Sequence, residues 1–436
     1  MTDSRTRQLH QQADLLLNAN RLMEARALYD QICALDSSDA EAFMMRGALD
    51  GEMGKVEDAL QSLNEAIRLD PGYADAYHTL AHLLQHQGKL EEARDALQKA
   101  VEIDPEFTEA WVMMGGLLGQ LKAYPEAETA SRRALELDSG LADARANLAS
   151  VLVEQGRFEE AITELQQLVE HQPANTQAWS RLGAILARLG RFDDAIPALE
   201  TALRLNPSDN QTRTTLGVAY NGIKAFDRAT EQLHRVIESN PDEAQAWAAL
   251  AGITEGDGWQ ALADYCEQLA ERFPGNRHIT LNHGYALEML NNPGGAATKF
   301  EQLTLEFPEW GEGWNRLGLL HTRLEQGQEA SNCLKKAIEC GVESPLTLCV
   351  YGAALRVCGS PREAEHYCRL AMEKAPDMVL AYIHLGLVQT EMGEFDLALG
   401  TYQKGLELEP TNPTLVAGIA DLQARQADPE KGTGNT

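Results

Sequence analysis

The sequence predicts an all-α fold, an α-solenoid of antiparallel helix pairs. Three observations carry that expectation: evenly spaced prolines, a small residue recurring at one place between them, and an alanine recurring at another. Pro71, Pro105, Pro173, Pro207, Pro241, Pro274, Pro308, Pro376 and Pro410 stand 33, 34 or 68 residues apart. Dividing the chain three residues after each of them gives twelve units: 6–39, 40–73, 74–107, 108–141, 142–175, 176–209, 210–243, 244–276, 277–310, 311–344, 345–378 and 379–412. The eighth is one residue short, in the turn around Gly256, Asp257 and Gly258. A period of this length belongs to arrays in which each unit buries its apolar face against its neighbours.

Each element of a unit follows from its residues. Position 8 is Ala or Gly throughout, from Ala13 and Gly47 to Gly352 and Gly386, and position 20 is Ala in eleven units, with Leu262 as the exception. Two small residues twelve apart fit two helices whose axes approach to roughly 8–10 Å. Positions 4, 7, 8 and 11 form one apolar stripe, often aromatic at position 4 (Phe43, Tyr77, Trp111, Trp179, Trp247, Trp314, Tyr382). Positions 20, 24 and 27 form the second stripe, as in Ala93, Leu97 and Ala100. A turn, often glycine as at Gly54 and Gly88, separates the two, and Asp-Pro or Asn-Pro ends the second helix because proline cannot continue it.

This pattern resembles the tetratricopeptide repeat family: a small residue at 8, Ala at 20 and Pro at 32 on a 34-residue period, over residues 6–412. The resemblance implies a right-handed superhelix whose first helices line a concave wall that binds other proteins. Residues 413–427 repeat the first-helix pattern and read as a capping helix, while 1–5 and 428–436 are expected to be disordered.

Once positions 4, 7, 8 and 11 are committed to the core, positions 2, 5, 6, 9, 12 and 13 remain for the wall. Early units place Met44, Met45, Val112 and Met113 there above Ala48, Gly51, Gly116 and Gly119, which predicts a site for an apolar peptide or helix. Between them His78, His82 and His86 share one face at i, i+4, i+8; without a Cys or carboxylate at ligand spacing they read as a solvated face, with no metal. Later units bring Asn147, Arg181, Arg188, Asn282, Arg316, Arg323 and Arg356 to the wall. These would hold a partner's carboxylates or backbone, unless each Arg pairs with a neighbour such as Glu288 or Glu154. Lys and Asn in the arrangement by which some members clamp a terminal carboxylate are not found.

The bulk numbers constrain the rest. The 436 residues are 44% hydrophobic and 24% charged, with a net charge of −29 spread along the chain. Such a field disfavours nucleic acid and anionic lipid. No apolar run is long enough for a membrane span, and the N-terminal residues are too polar for a signal peptide, so a cytoplasmic protein is expected. Seven cysteines, with Cys333, Cys340, Cys349, Cys358 and Cys368 at spacings that fit no zinc site, read as reduced and mostly buried. No phosphate-binding loop, metallopeptidase or nucleophile motif stands in a suitable context. The expected function is a non-enzymatic scaffold or adaptor without cofactor, a monomer or weak homo-oligomer that binds other proteins. A self-assembling structural protein and a targeting subunit for a separate enzyme such as a glycosyltransferase are the alternatives.

Overall fold

A computed structural model describes residues 2–255 and 258–427. The expected tail at 428–436, Met1, and Gly256 and Asp257 of the shortened turn lie outside the described residues. Among the described residues there are twenty-five helices and no strand. They are α1 (Thr2–Asn18), α2 (Leu22–Leu35), α3 (Ala40–Glu52), α4 (Val56–Leu69), α5 (Ala74–His86), α6 (Leu90–Ile103), α7 (Thr108–Gln120), α8 (Tyr124–Leu137), α9 (Ala142–Glu154), α10 (Phe158–His171), α11 (Thr176–Arg188), α12 (Phe192–Leu205) and α13 (Asn210–Gly222). Then follow α14 (Phe226–Ser239), α15 (Ala244–Ile253), α16 (Gly258–Arg272), α17 (Arg277–Met289), α18 (Pro293–Glu306), α19 (Gly311–Arg323), α20 (Gly327–Glu339), α21 (Pro345–Val357), α22 (Pro361–Lys374), α23 (Val379–Glu391), α24 (Phe395–Leu408) and α25 (Pro413–Ala427). We call the odd-numbered helices A and the even-numbered helices B.

From α3 onward most A helices have 13 residues and most B helices 14. The exception among A helices up to α23 is α15, cut to 10 residues where the period shortens. At the other end, α1 already begins at Thr2. Residues 2–5, expected to be disordered, therefore continue its first turn, consistent with Thr2, Asp3 and Ser4 being helix-initiating residue types.

The turn between A and B uses one left-handed residue, Gly at 54, 88, 156, 190, 359 and 393, but Asn20, Lys122, Lys224, Asn291 and Glu325 in other pairs. At Gly88 nothing lies within 4 Å of where a Cβ would stand, so φ = +74° alone explains the glycine there.

The small residues work as their spacing predicts, with one refinement. Ala at position 20 is fully buried in every unit that has it, as at Ala59, Ala93, Ala195 and Ala364. Position 8, however, lies against position 24 of its own pair. A Cβ on Gly183 would stand 2.5 Å from Leu199 Cγ, and one on Gly386 2.2 Å from Tyr402 Cε1. Position 4 also needs more than an aromatic ring. The indole N–H of Trp111, Trp179, Trp247 and Trp314 donates to the carbonyl of Pro105, Pro173, Pro241 and Pro308 at 2.8–3.1 Å, and Tyr382 donates to that of Pro376 at 2.8 Å. Arg145 and Arg213 occupy the same position and donate to the carbonyls of Ser139 and Pro207. The requirement is an apolar stem with a donor at its tip, which satisfies a carbonyl of the turn that follows the preceding B helix.

The chain divides into two compact units, Met1–Ala229 and Thr230–Thr436. In the first, Leu97, Leu117, Ala93 and Ala127 centre a core spanning α5 to α9. It also holds a buried ion pair: Asp50, fully buried, accepts from Arg26 Nε at 2.9 Å. In the second, Phe300, Leu303, Leu317 and Leu320 centre one cluster, and α25 seals another by setting Leu415 and Leu422 against Tyr402.

Candidate partner-binding face

Three adjoining cavities lie along the A helices of the first unit. One of about 590 Å³ spans α3 and α5 and includes Ala48, Gly51, Glu52, His78, His82 and His86 in its walls. One of about 380 Å³ lies over Val112, Met113, Gly116 and Asn147, bounded by Glu109 and Asp143. One of about 330 Å³ follows between Gly119, Tyr124, Asn147, Ser150 and Glu154. A fourth, of about 600 Å³, sits apart among Trp179, Pro173 and Pro197 of α10–α12.

The expected wall residues divide in the structure. Met44 is a correction: only 9% exposed, it packs with Leu63 and Leu83 beneath Thr79 and belongs to the core. Thr79 and Leu83 of the next A helix cover it. Met45 is half-buried against the clusters on either side of it. Val112 and Met113 line the second cavity. Asn147 spans two A helices, its Nδ2 donating to the Val112 carbonyl at 3.1 Å.

His78 rests on the Phe107 ring at 5.1 Å between centroids, while exposed His82 and His86 meet edge to face at 4.6 Å. Burial lowers the pKa of His78 and, less deeply placed, His82, and each is lowered further by the next histidine in the row. Among the described residues no group of three or more His, Cys, Asp or Glu is placed to hold a metal ion. Gln87, in the wall of the first cavity, has its Nε2 buried without an acceptor.

The arginines are occupied. Arg316 Nε donates to Glu312 at 2.9 Å and its guanidinium lies 5.3 Å from the Tyr285 ring centre. Arg323 reaches Glu288 at 3.2 Å, and Arg356 pairs with Glu391. Arg181 donates to Ser150 Oγ at 2.7 Å. Arg188 is turned away from the wall, over the Phe158 ring at 4.8 Å, and Asn282 bonds back to His278 of its own helix. All seven cysteines are free thiols, and burial pushes Cys349 and Cys368 up to about 12.

Glycine separates packing from vacancy on this face. Gly51, Gly116 and Gly119 lie inside helices with ordinary φ, where glycine is less stable than alanine by roughly 0.5–1 kcal/mol. A Cβ on Gly119 would meet nothing nearer than Val151 Cγ2 at 3.8 Å, and on Gly51 nothing nearer than Leu83 Cδ1 at 3.5 Å. Gly116 meets only the end of Asn147, at 3.3 Å. Gly252 and Gly400 are equally open, so open glycine by itself marks nothing. Here all three line the cavities.

The family model of the cilia and flagella-associated protein 70 C-terminal domain, a tetratricopeptide-repeat model, matches residues 2–253, and that of the tetratricopeptide repeat matches 379–412. The chain belongs to this tetratricopeptide-repeat family. Hsp70-Hsp90 organizing protein 2 of Arabidopsis thaliana is 28% identical over 133 residues, 30% of this chain, which spans only 23% of that relative's length. Among solved structures, YrrB, described as a TPR protein with an unusual peptide-binding site, is 27% identical over 43% of this chain and 96% of its own, with a TM-score of 0.40. The APC/C hetero-tetramer Cut9-Hcn1 matches over 96% of both chains at 14% identity and a TM-score of 0.42. No described helix of this tetratricopeptide-repeat protein is long and apolar enough to cross a membrane.

The site residues that sequence reasoning passed over are Glu52, Glu109, Asp143 and Glu154. They occupy wall positions 2 and 13, and the signal is in the sequence: a run of acids at position 2 (Glu41, Asp75, Glu109, Asp143) with Glu52 and Glu154 at position 13.

Proposed function

We propose that this tetratricopeptide-repeat protein is a non-catalytic interaction scaffold that takes a segment of a partner protein along α3, α5, α7 and α9. The observation that carries this reading is the coincidence of the three cavities with Gly51 and Gly119, which neither backbone conformation nor packing requires, and with Gly116, whose Cβ would meet only the Asn147 side chain at 3.3 Å. Helix stability is forgone at three places on one face, and the return is room for foreign side chains. Half-buried Met113 adds an adaptable apolar surface beside that room.

The test fills the room without touching the core. Gly119→Leu and Gly116→Leu should remove captured partners from an affinity experiment while circular dichroism shows unchanged helicity. Capture that is identical with both variants would overturn the reading.

A further inference from the structure

We infer that the segment taken by this face is basic: an apolar stripe flanked by Lys or Arg. The inference rests on the binding reading above and deepens it. Four carboxylates border the three cavities: Glu52 the first, Glu109 and Asp143 the second, Glu154 the third. No Lys or Arg lines any of the three. None of the four carboxylates has an ion-pair partner among the described residues, and Glu154 accepts only a long bond, 3.4 Å, from the Tyr124 hydroxyl.

Where a cation stands nearby the chain pairs its acids closely, as in Arg157 with Glu128 and Glu160 or Arg145 with Glu164, but the linings of these three cavities offer none. Burial lowers the pKa of His78 and His82, with Glu109 and Glu52 acting in the opposite direction. Position 2 repeats the pattern. It is acidic in the four units that border the cavities (Glu41, Asp75, Glu109, Asp143) and becomes Gln177 and Gln211 in the two units that follow. Apolar, small-residue floors with carboxylate edges favour a guest whose apolar side chains enter the cavities while its cations reach the edges.

The probe is a fluorescein-labelled amphipathic helical peptide with Leu at i, i+3, i+4 and i+7 and Lys on the flanks, compared with its Lys-to-Glu counterpart. Anisotropy should show binding of the basic peptide that weakens with added salt. The variant Glu52→Gln/Glu109→Gln/Asp143→Asn/Glu154→Gln should bind it about tenfold more weakly, the middle of the range that four exposed ion pairs of modest strength sum to. A charge-matched control, Glu57→Gln/Glu92→Gln/Glu126→Gln/Asp227→Asn, alters exposed carboxylates outside the cavities and should leave binding unchanged. Equal losses in both quadruple variants, failure of the basic peptide to bind, or tighter binding of the acidic peptide would each overturn the inference. Gly119→Leu separates the two readings. Acidic-peptide binding that is lost with Gly119→Leu would leave the binding face standing and sink only its charge preference. Peptide binding indifferent to Gly119→Leu would sink both.

Discussion

Alanine at Gly119 and alanine at Gly183 should shift stability in opposite directions, although both glycines lie inside A helices of the same unit. At Gly119 the new methyl meets only Val151 Cγ2 at 3.8 Å, an ordinary contact. The substitution therefore gains helix propensity and little else, roughly 0.5–1 kcal/mol. At Gly183 the methyl would stand 2.5 Å from Leu199 Cγ, 2.6 Å from its Cδ2 and 3.2 Å from its backbone nitrogen. Leu199 is fully buried and the backbone cannot retreat, so overpacking of about 1–3 kcal/mol exceeds the same propensity gain. A net loss on the order of 1–2 kcal/mol follows. Repeat arrays open locally, so the assay is hydrogen exchange read by mass spectrometry across α7 and α11–α12, beside a urea melt. Adding Leu199→Ala should abolish most of the Gly183→Ala effect in a double-mutant cycle. If Gly183→Ala protects α11 as Gly119→Ala protects α7, the distinction between a packing glycine and a vacant one is wrong. The binding face would then lose its main support.

Arg145→Ala should destabilise by about 3 kcal/mol because it strands Glu164 and the Ser139 carbonyl, whereas Arg145→Trp should recover about 1 kcal/mol of that by restoring the donor used in four other pairs while Glu164 stays unpaired; chemical denaturation compares them. Lys122→Gly should stabilise by about 1 kcal/mol, since Lys122 holds φ = +60° in the A-to-B turn, and an unchanged melting temperature would refute that strain. Burial lowers the pKa of His78, His234, His283 and His384, so just below the ordinary histidine value the unfolded chain binds more protons than the folded one. The melting temperature should therefore fall as pH drops from about 7.5 to about 5.5, less steeply in His384→Leu, with NMR titration placing the His384 midpoint low.

The helical architecture was legible because its determinants are local and repeated. A small residue at 8, alanine at 20 and a left-handed residue in the turn each answer to a constraint inside one pair, and twelve copies average out exceptions such as Leu262. What the one-dimensional pattern hid was chemistry that spans pairs. Position 4 looked aromatic because Trp is common there; Arg145 and Arg213 reveal that a donor at the end of an apolar stem is what the site needs. Position 13 was assigned to the wall by helical geometry alone. In α11 and α13 it overlies the start of the preceding B helix, where Arg188 covers Phe158 and a Cβ on Gly222 would stand 2.2 Å from the Phe192 ring, whereas Glu52 and Glu154 at the same position border cavities. Met44 failed for the same reason, since a neighbouring A helix, not its own, covers it.

The missing rule is an offset of one repeat plus one residue. Arg323 finds Glu288, Arg356 finds Glu391 and Asn147 finds Val112, each across 35 residues, because that step links facing positions on adjacent A helices. Applied to the sequence, it would have closed Arg323 and Arg356 in advance and removed the expectation of an acidic partner there. Applied to the four carboxylates, it finds no cation. Glu52 meets Gln87, Glu109 meets Ala74 and Ala144, Asp143 meets Thr108 and Ala178, and Glu154 meets Gly119 and Leu189. The arginines of the later repeats are thus closed from within the chain, whereas the acids of the early repeats have nothing at the distance where the chain supplies its own partners. A cation facing those acids at that step would belong to a bound partner, which is the charge preference inferred above.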